Sequence, residues 1–150
     1  MNPIKSIVIL SVVFLMSCTS SVNEKTMNYK DRSDFQPFKL IDNRKSKWAD
    51  VRVSFDSWGW LKKTHGDNVD GYYLNGYGVQ GLVLAARVLK RLPAYTSTMD
   101  LNSEGDTCYM IFQNYDEAIE TIQIASEMIN DKSLLVESIK IAKEYRLNEI

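Results

Sequence analysis

The chain has 150 residues, 45 % of them hydrophobic and 25 % charged, with 18 Lys and Arg against 19 Asp and Glu and a formal net charge of -1. This near-neutral balance argues against a nucleic-acid partner, because neutralising phosphates takes a marked basic excess. One histidine and two cysteines provide no disulfide framework and no metal-ligand spacing, so no metal and no cofactor is expected.

The N-terminus has the parts of an export signal. Lys5 supplies the positive charge, and residues 7–16 form an apolar run. At roughly 10 residues this run is too short to span about 30 Å of hydrocarbon as a permanent helix. Leu15-Met16-Ser17-Cys18 follows, and it resembles the lipobox of bacterial lipoprotein precursors. There the small residue lets a peptidase reach the bond, and the cysteine thiol takes a diacylglyceryl group. Residues 1–17 are therefore expected to be a lipoprotein signal, with Cys18 the lipid-bearing first residue of the mature chain. Thr19 is not acidic, which points to the outer membrane, facing the periplasm, with the lipid as the only membrane attachment. Residues 19–25 are rich in Ser, Thr and Asn and read as a flexible tether. The segment 18–47 as a whole is tether and lead-in, with Phe35, Phe38, Leu40 and Ile41 packing onto the domain.

The domain proper is expected over 48–150. Val51, Val53 and Phe55 alternate with Arg52, Ser54 and Asp56, the period of a half-buried strand. Residues 57–63 suit a short helical turn. From Gly66 to Gly81 the chain is rich in Gly, Asn, Asp and Tyr and reads as loops, with one short strand at 72–74. A helix follows, with Val79, Leu82, Val83, Ala86 and Leu89 on its buried face and Pro93 as its stop. Strands at 96–102 and 107–112 flank the acidic turn 102–106, where Gly105 suits the positive φ of a tight hairpin.

Asn114 with Glu117 three residues on makes a capping box for a second helix, which buries Ala118, Ile119, Ile122, Ala125 and Ile129. A third helix begins near Asp131 or Ser133 and buries Leu134, Leu135, Ile139 and Ala142. The expected fold is a small α+β domain: an antiparallel sheet with about three helices packed on one face. Cys108, in the apolar run Cys108-Tyr109-Met110-Ile111-Phe112, reads as a small buried hydrophobe.

Gly76-Tyr77-Gly78-Val79-Gln80-Gly81 fits the dinucleotide fingerprint G-x-G-x-x-G. Its context does not, because no long apolar strand precedes it and the next strand is half of a hairpin. These glycines are expected to make a turn and to let the helix approach the sheet closely. His65 neighbours Lys63, Thr64, Gly66 and Asp67 and reads as a surface loop residue rather than a catalytic base. Asp100, Glu104 and Asp106 read as a solvated acidic turn. As an envelope hydrolase, the chain would instead need Asp100 and Glu104 to face each other across a cleft.

Trp58, Trp60, Tyr72, Tyr73 and Tyr77 gather in and around the Gly-rich loops. Such rings bury large areas at low entropic cost and are enriched at binding hot spots. The competing reading makes Trp58 and Trp60 core residues flanking the first strand.

Asp70-Gly71-Tyr72-Tyr73-Leu74-Asn75-Gly76-Tyr77 ahead of a helix, then Met99-Asp100-Leu101-Asn102-Ser103-Glu104-Gly105, then Tyr109-Met110-Ile111-Phe112, resembles immunity protein family 51 of bacterial polymorphic-toxin systems. The similarity covers roughly 50–147. Gly78 and Val79 depart from it, standing where the family carries an acidic or polar residue and an aromatic. The resemblance implies a non-catalytic inhibitor that binds a cognate toxin protein and occludes it sterically. With a lipid anchor, such a protein would act in the cell envelope. Trp58, Trp60, Tyr72, Tyr73, Tyr77, Asp100, Glu104 and Asp106 are the candidate partner-contacting residues. The alternative is an envelope lipoprotein serving as a binding or assembly accessory with no toxin partner.

Overall fold

The computed structural model describes residues 35–66 and 68–150. The expected export signal, the expected lipid-bearing Cys18 and most of the expected tether lie outside the described residues. The chain forms β1 (Lys39–Asp42), β2 (Val51–Phe55), α1 (Trp58–His65), β3 (Asn68–Val69), β4 (Tyr72–Tyr73) and α2 (Gly76–Leu89). It continues as β5 (Met99–Leu101), β6 (Cys108–Phe112), α3 (Tyr115–Asn130), α4 (Lys132–Glu144) and a C-terminal 3-10 turn, Leu147–Glu149. The fold is α+β, with a four-stranded antiparallel sheet in the order β1-β2-β6-β5 and a separate hairpin, β3-β4.

Sheet alternation explains which residues meet the helices. Val51, Val53 and Phe55 stand opposite Phe112, Met110 and Cys108, and all six are fully buried. Arg52 and Ser54, opposite Ile111 and Tyr109, face the other way. The segment 39–42, read above as lead-in, pairs with β2 as an edge strand, and Phe38 and Leu40 join the core. Four residues with charges at both ends carry too little alternation to declare a strand. Pairing with β2 supplies what their own pattern lacks.

The helix over 76–89 is buried along most of its surface, including Leu84 and Ala85 beside the expected face, while Tyr77 is exposed and Leu89 only half-buried. It is the central helix, packed against α3, α4, β6 and the C-terminal turn. A helix buried along most of its surface loses the apolar stripe from which a single face can be read. α3 buries the five residues expected, and Thr121, Ile124 and Met128 besides. α4 buries Leu135, Ile139 and Ala142, but leaves Leu134 half-buried. Asp131 caps α4 by accepting from the Ser133 and Leu134 amides at 2.8 and 3.1 Å.

The two turns diverge from the expectation for them. Asp70 (φ 50°) and Gly71 (φ 74°) form the tight β3–β4 hairpin, both left-handed as an Asp-Gly turn requires. Gly105, expected to need a positive φ, has none. Its turn is closed instead by the backbone pair Glu104–Thr107.

Cys108 is fully buried, and its thiol is pushed up to about 12 by desolvation against a weaker opposing hydrogen bond from Ser103. In a Cys18→Ser chain, Cys108 should therefore resist a thiol reagent at pH 8 while folded and react fully once unfolded. Comparable native and denatured rates would show that the core opens readily.

Candidate binding surface around Tyr73

The predicted aromatic residues separate into three groups, and the glycines of 76–81 explain why. Asn75 caps α2, its Oδ1 accepting from the Gly78 amide at 2.8 Å. Directly after it, the first turn of α2 is pressed against its neighbours. A Cβ on Gly76 would overlap the carbonyls of Glu104 and Thr107, and one on Gly78 would overlap the Tyr73 carbonyl. One on Gly81 would meet the Tyr72 hydroxyl and the Asn148 amide. The close approach is thus to the 104–107 turn, the small hairpin and the C-terminal turn. The dinucleotide reading fails here, since β4 has two residues and β5 pairs antiparallel with β6.

From the other side, Trp58 of α1 donates its indole N–H to the Asp106 carbonyl at 2.5 Å and stacks edge-on against Phe55 at 5.1 Å. The 104–107 turn is therefore held between α1 and the start of α2. A cleft of about 380 Å³ opens beside it, lined by Trp58, Leu61, Lys62, Tyr73, Asn75 and Asp106 among others. A second cleft of about 410 Å³ lies beyond, with Tyr73, Asn75, Tyr77, Lys143 and Asn148 in its walls. Tyr73 and Asn75 border both. Tyr73, 66 % exposed, is the ridge between them, and Tyr77 is 44 % exposed.

Two of the predicted rings do not join this surface. Tyr72 is buried, and its hydroxyl donates to the Gly78 carbonyl at 2.9 Å, with burial raising its pKa. Alternation along β4 sends Tyr72 inward and Tyr73 outward. Trp60 is half-buried on another side of α1, its ring edge-on to that of His65 with the ring centres 5.7 Å apart, and its neighbours are Pro37, Ser57 and Asn130. His65 itself is half-buried rather than a loop residue. It ends α1, and its Nε2 donates to the Ile129 carbonyl at 2.9 Å.

The three acidic residues are exposed and spread along the hairpin. Asp106 borders the first cleft, Glu104 sits in the turn, and Asp100 lies within β5, paired with Ile111. This is the placement of solvated carboxylates rather than of an acid–base pair across a cleft. Among the described residues, no three His, Cys, Asp or Glu side chains gather as a metal site would require.

Sequence reading did not find Lys62, Asn75, Lys143 or Asn148 as cleft residues. Asn75 was readable as a helix cap. Lys143 and Asn148 arrive only through the packing of α4 and the C-terminal turn on α2, with Lys143 Nζ donating to the Asp70 carbonyl. What results is an exposed tyrosine ridge between a mostly apolar cleft on one side and a mostly polar one on the other, backed by a capped helix. Compared with protein-family models, with curated proteins and with solved structures, the chain matches none.

Proposed function

We propose that this chain is a lipid-anchored immunity protein, which binds a cognate toxin protein in the cell envelope and neutralises it by steric occlusion. The observation that carries the reading is the Tyr73 ridge. A tyrosine on a two-residue strand, two-thirds exposed and flanked by clefts of several hundred cubic ångströms, contributes little to the core. It has the form of a hot-spot residue waiting for a partner that can fill both sides. The fixed backbone beneath it reduces the ordering cost of binding. Steric occlusion needs no chemistry from the inhibitor, only complementarity at such a ridge. The lipobox-like Leu15-Met16-Ser17-Cys18 supports placement at the envelope, where toxins acting on wall or membrane would be met.

The test is co-expression of the full chain with the toxin-like product encoded beside it, followed by affinity capture and a survival assay. A stoichiometric complex and rescue of growth are expected. Tyr73→Ala should weaken the complex by about 2 kcal/mol, close to thirtyfold in Kd, while leaving the unfolding midpoint unchanged. Capture of envelope-assembly components alone, without rescue, would favour an accessory lipoprotein instead. Full rescue by Tyr73→Ala would move the toxin contact off this ridge.

A further inference from the structure

Away from the Tyr73 clefts, a second surface is built from residues that the core does not use. The strand face turned away from the buried side presents Ile41, Arg52, Ser54, Tyr109, Ile111 and Asp100. All but Ser54 are half-exposed or exposed. The β1–β2 loop, 43–50, stands at its margin and carries Trp48, 60 % exposed. No other tryptophan of the described residues is as open.

The loop is tied down. The Asn43 amide donates to the Asp50 carbonyl at 2.9 Å, and the Asn43 side chain donates to Asp50 Oδ1 at 3.0 Å. Asp50 is in turn forked by Arg52, whose Nε and Nη2 donate to it at 2.9–3.0 Å. These bonds, the Arg52 fork first, hold the Asp50 carboxyl below the usual carboxylate range. The remaining Arg52 nitrogen, Nη1, donates to the Tyr109 hydroxyl at 2.7 Å. Its guanidinium lies 5.5 Å from the Trp48 ring centre and 5.7 Å from that of Tyr109. Lys47 Nζ stands 4.8 Å from the Trp48 centre, and Arg44 stacks at 3.6 Å over Tyr115. A tryptophan, an arginine and a tyrosine are thus ordered side by side on a solvent-facing sheet before any partner arrives.

Charge indicates the partner. Beside the loop, Asp42 is paired with Arg44 and Asp50 with Arg52, and the exposed Asp116 also faces Arg44. Lys45 and Lys47, both exposed, have no carboxylate partner among the described residues. With Arg44, Lys45, Lys47 and Arg52 against Asp42, Asp50 and Asp116, the Trp48 end keeps a surplus of positive charge, although the whole chain is slightly acidic and Asp100 stands on the β5 side of the face. We propose that this open sheet face, anchored by Trp48, is a second interaction surface and takes an acidic segment of a protein partner. The ordered array runs from the loop across β2 to β6, a breadth that suits side chains of a polypeptide laid over the sheet. This inference stands independently of the toxin reading of the Tyr73 ridge, since the two surfaces share no residue.

The test titrates the detergent-solubilised full chain into fluorescein-labelled poly-glutamate, with poly-lysine of the same length and phosphatidylserine vesicles as comparisons. Poly-glutamate should bind and poly-lysine should not, with affinity falling as salt is raised. Trp48→Ala should weaken poly-glutamate binding by about tenfold, an effect that charge alone would not produce. The pair Lys45→Glu and Lys47→Glu should do likewise, and Tyr73→Ala should do nothing. All four positions are exposed, so these changes leave the core intact. The proposal is overturned by absence of poly-glutamate binding, by equal binding of poly-lysine, or by indifference to Trp48→Ala. Binding to vesicles with none to poly-glutamate would overturn it in favour of a membrane contact.

Discussion

Gly76→Ala is expected to destabilise the domain by about 3 kcal/mol or more, lowering its midpoint of thermal unfolding by roughly 10 °C. The added methyl would be driven into two backbone carbonyls, those of Glu104 and Thr107. Neither can move without opening the hairpin turn, because the Gly76 amide also donates to the Gly105 carbonyl at 3.2 Å and Trp58 grips the Asp106 carbonyl from the far side. A flexible side chain could swing aside, but a turn pinned at both flanks cannot. Gly105→Ala is the matched control, being one residue from the same contact yet with open space around its Cβ position and no positive φ. It should change stability by less than about 0.5 kcal/mol. Thermal unfolding of the two variants, followed by circular dichroism, checks both at once. A mild Gly76→Ala would show that α2 and the hairpin turn are not locked together, and the rigidity claimed for the Tyr73 surface would go with it.

The second large effect is expected at Arg87. Its side chain is only 2 % exposed, yet each of its nitrogens has a partner. Nε donates to the Pro93 carbonyl at 3.0 Å, Nη1 to Thr121 at 2.5 Å and Nη2 to Glu117 at 3.1 Å. Glu117 also accepts from Thr96 at 2.9 Å and Thr98 at 2.5 Å. The cluster ties α2 to α3 and holds the connection into β5. Burial lowers the Arg87 pKa against the pull of Glu117, but a guanidinium stays charged at any pH the protein meets.

Arg87→Met should cost about 3–5 kcal/mol, because it strands the Glu117 carboxylate in a largely buried site. Adding Glu117→Leu should recover much of that loss, since replacing both partners removes the orphaned charge. Urea unfolding of the single and double variants measures the difference. If the double variant is as unstable as the single one, packing rather than charge pairing carries the cluster.

Arg87 and Glu117 also show where legibility in the sequence ends. Asn114 and Asp131 are helix caps by residue type and spacing, and the structure uses both as such. Glu117, three residues after Asn114, has the spacing of a capping box, yet its carboxylate turns away to Arg87 and the two threonines. A partner thirty residues distant outcompetes one backbone amide, because a charge-assisted bond in a buried site is the stronger.

The same division holds for the aromatic residues. Their clustering near the Gly-rich loops is visible in the chain, but which of Tyr72 and Tyr73 faces solvent is set by the side of the small hairpin that α2 covers. Trp48 and Arg52, in a loop and strand of unremarkable composition, meet only when β2 pairs with its neighbours. The helix caps, the α+β class and the period of the strands are local properties, carried by neighbouring residues and written into the order of the chain. The exposed ridge, the buried ion pair and the open sheet face depend on which distant residues share a surface, and that is decided by packing between elements.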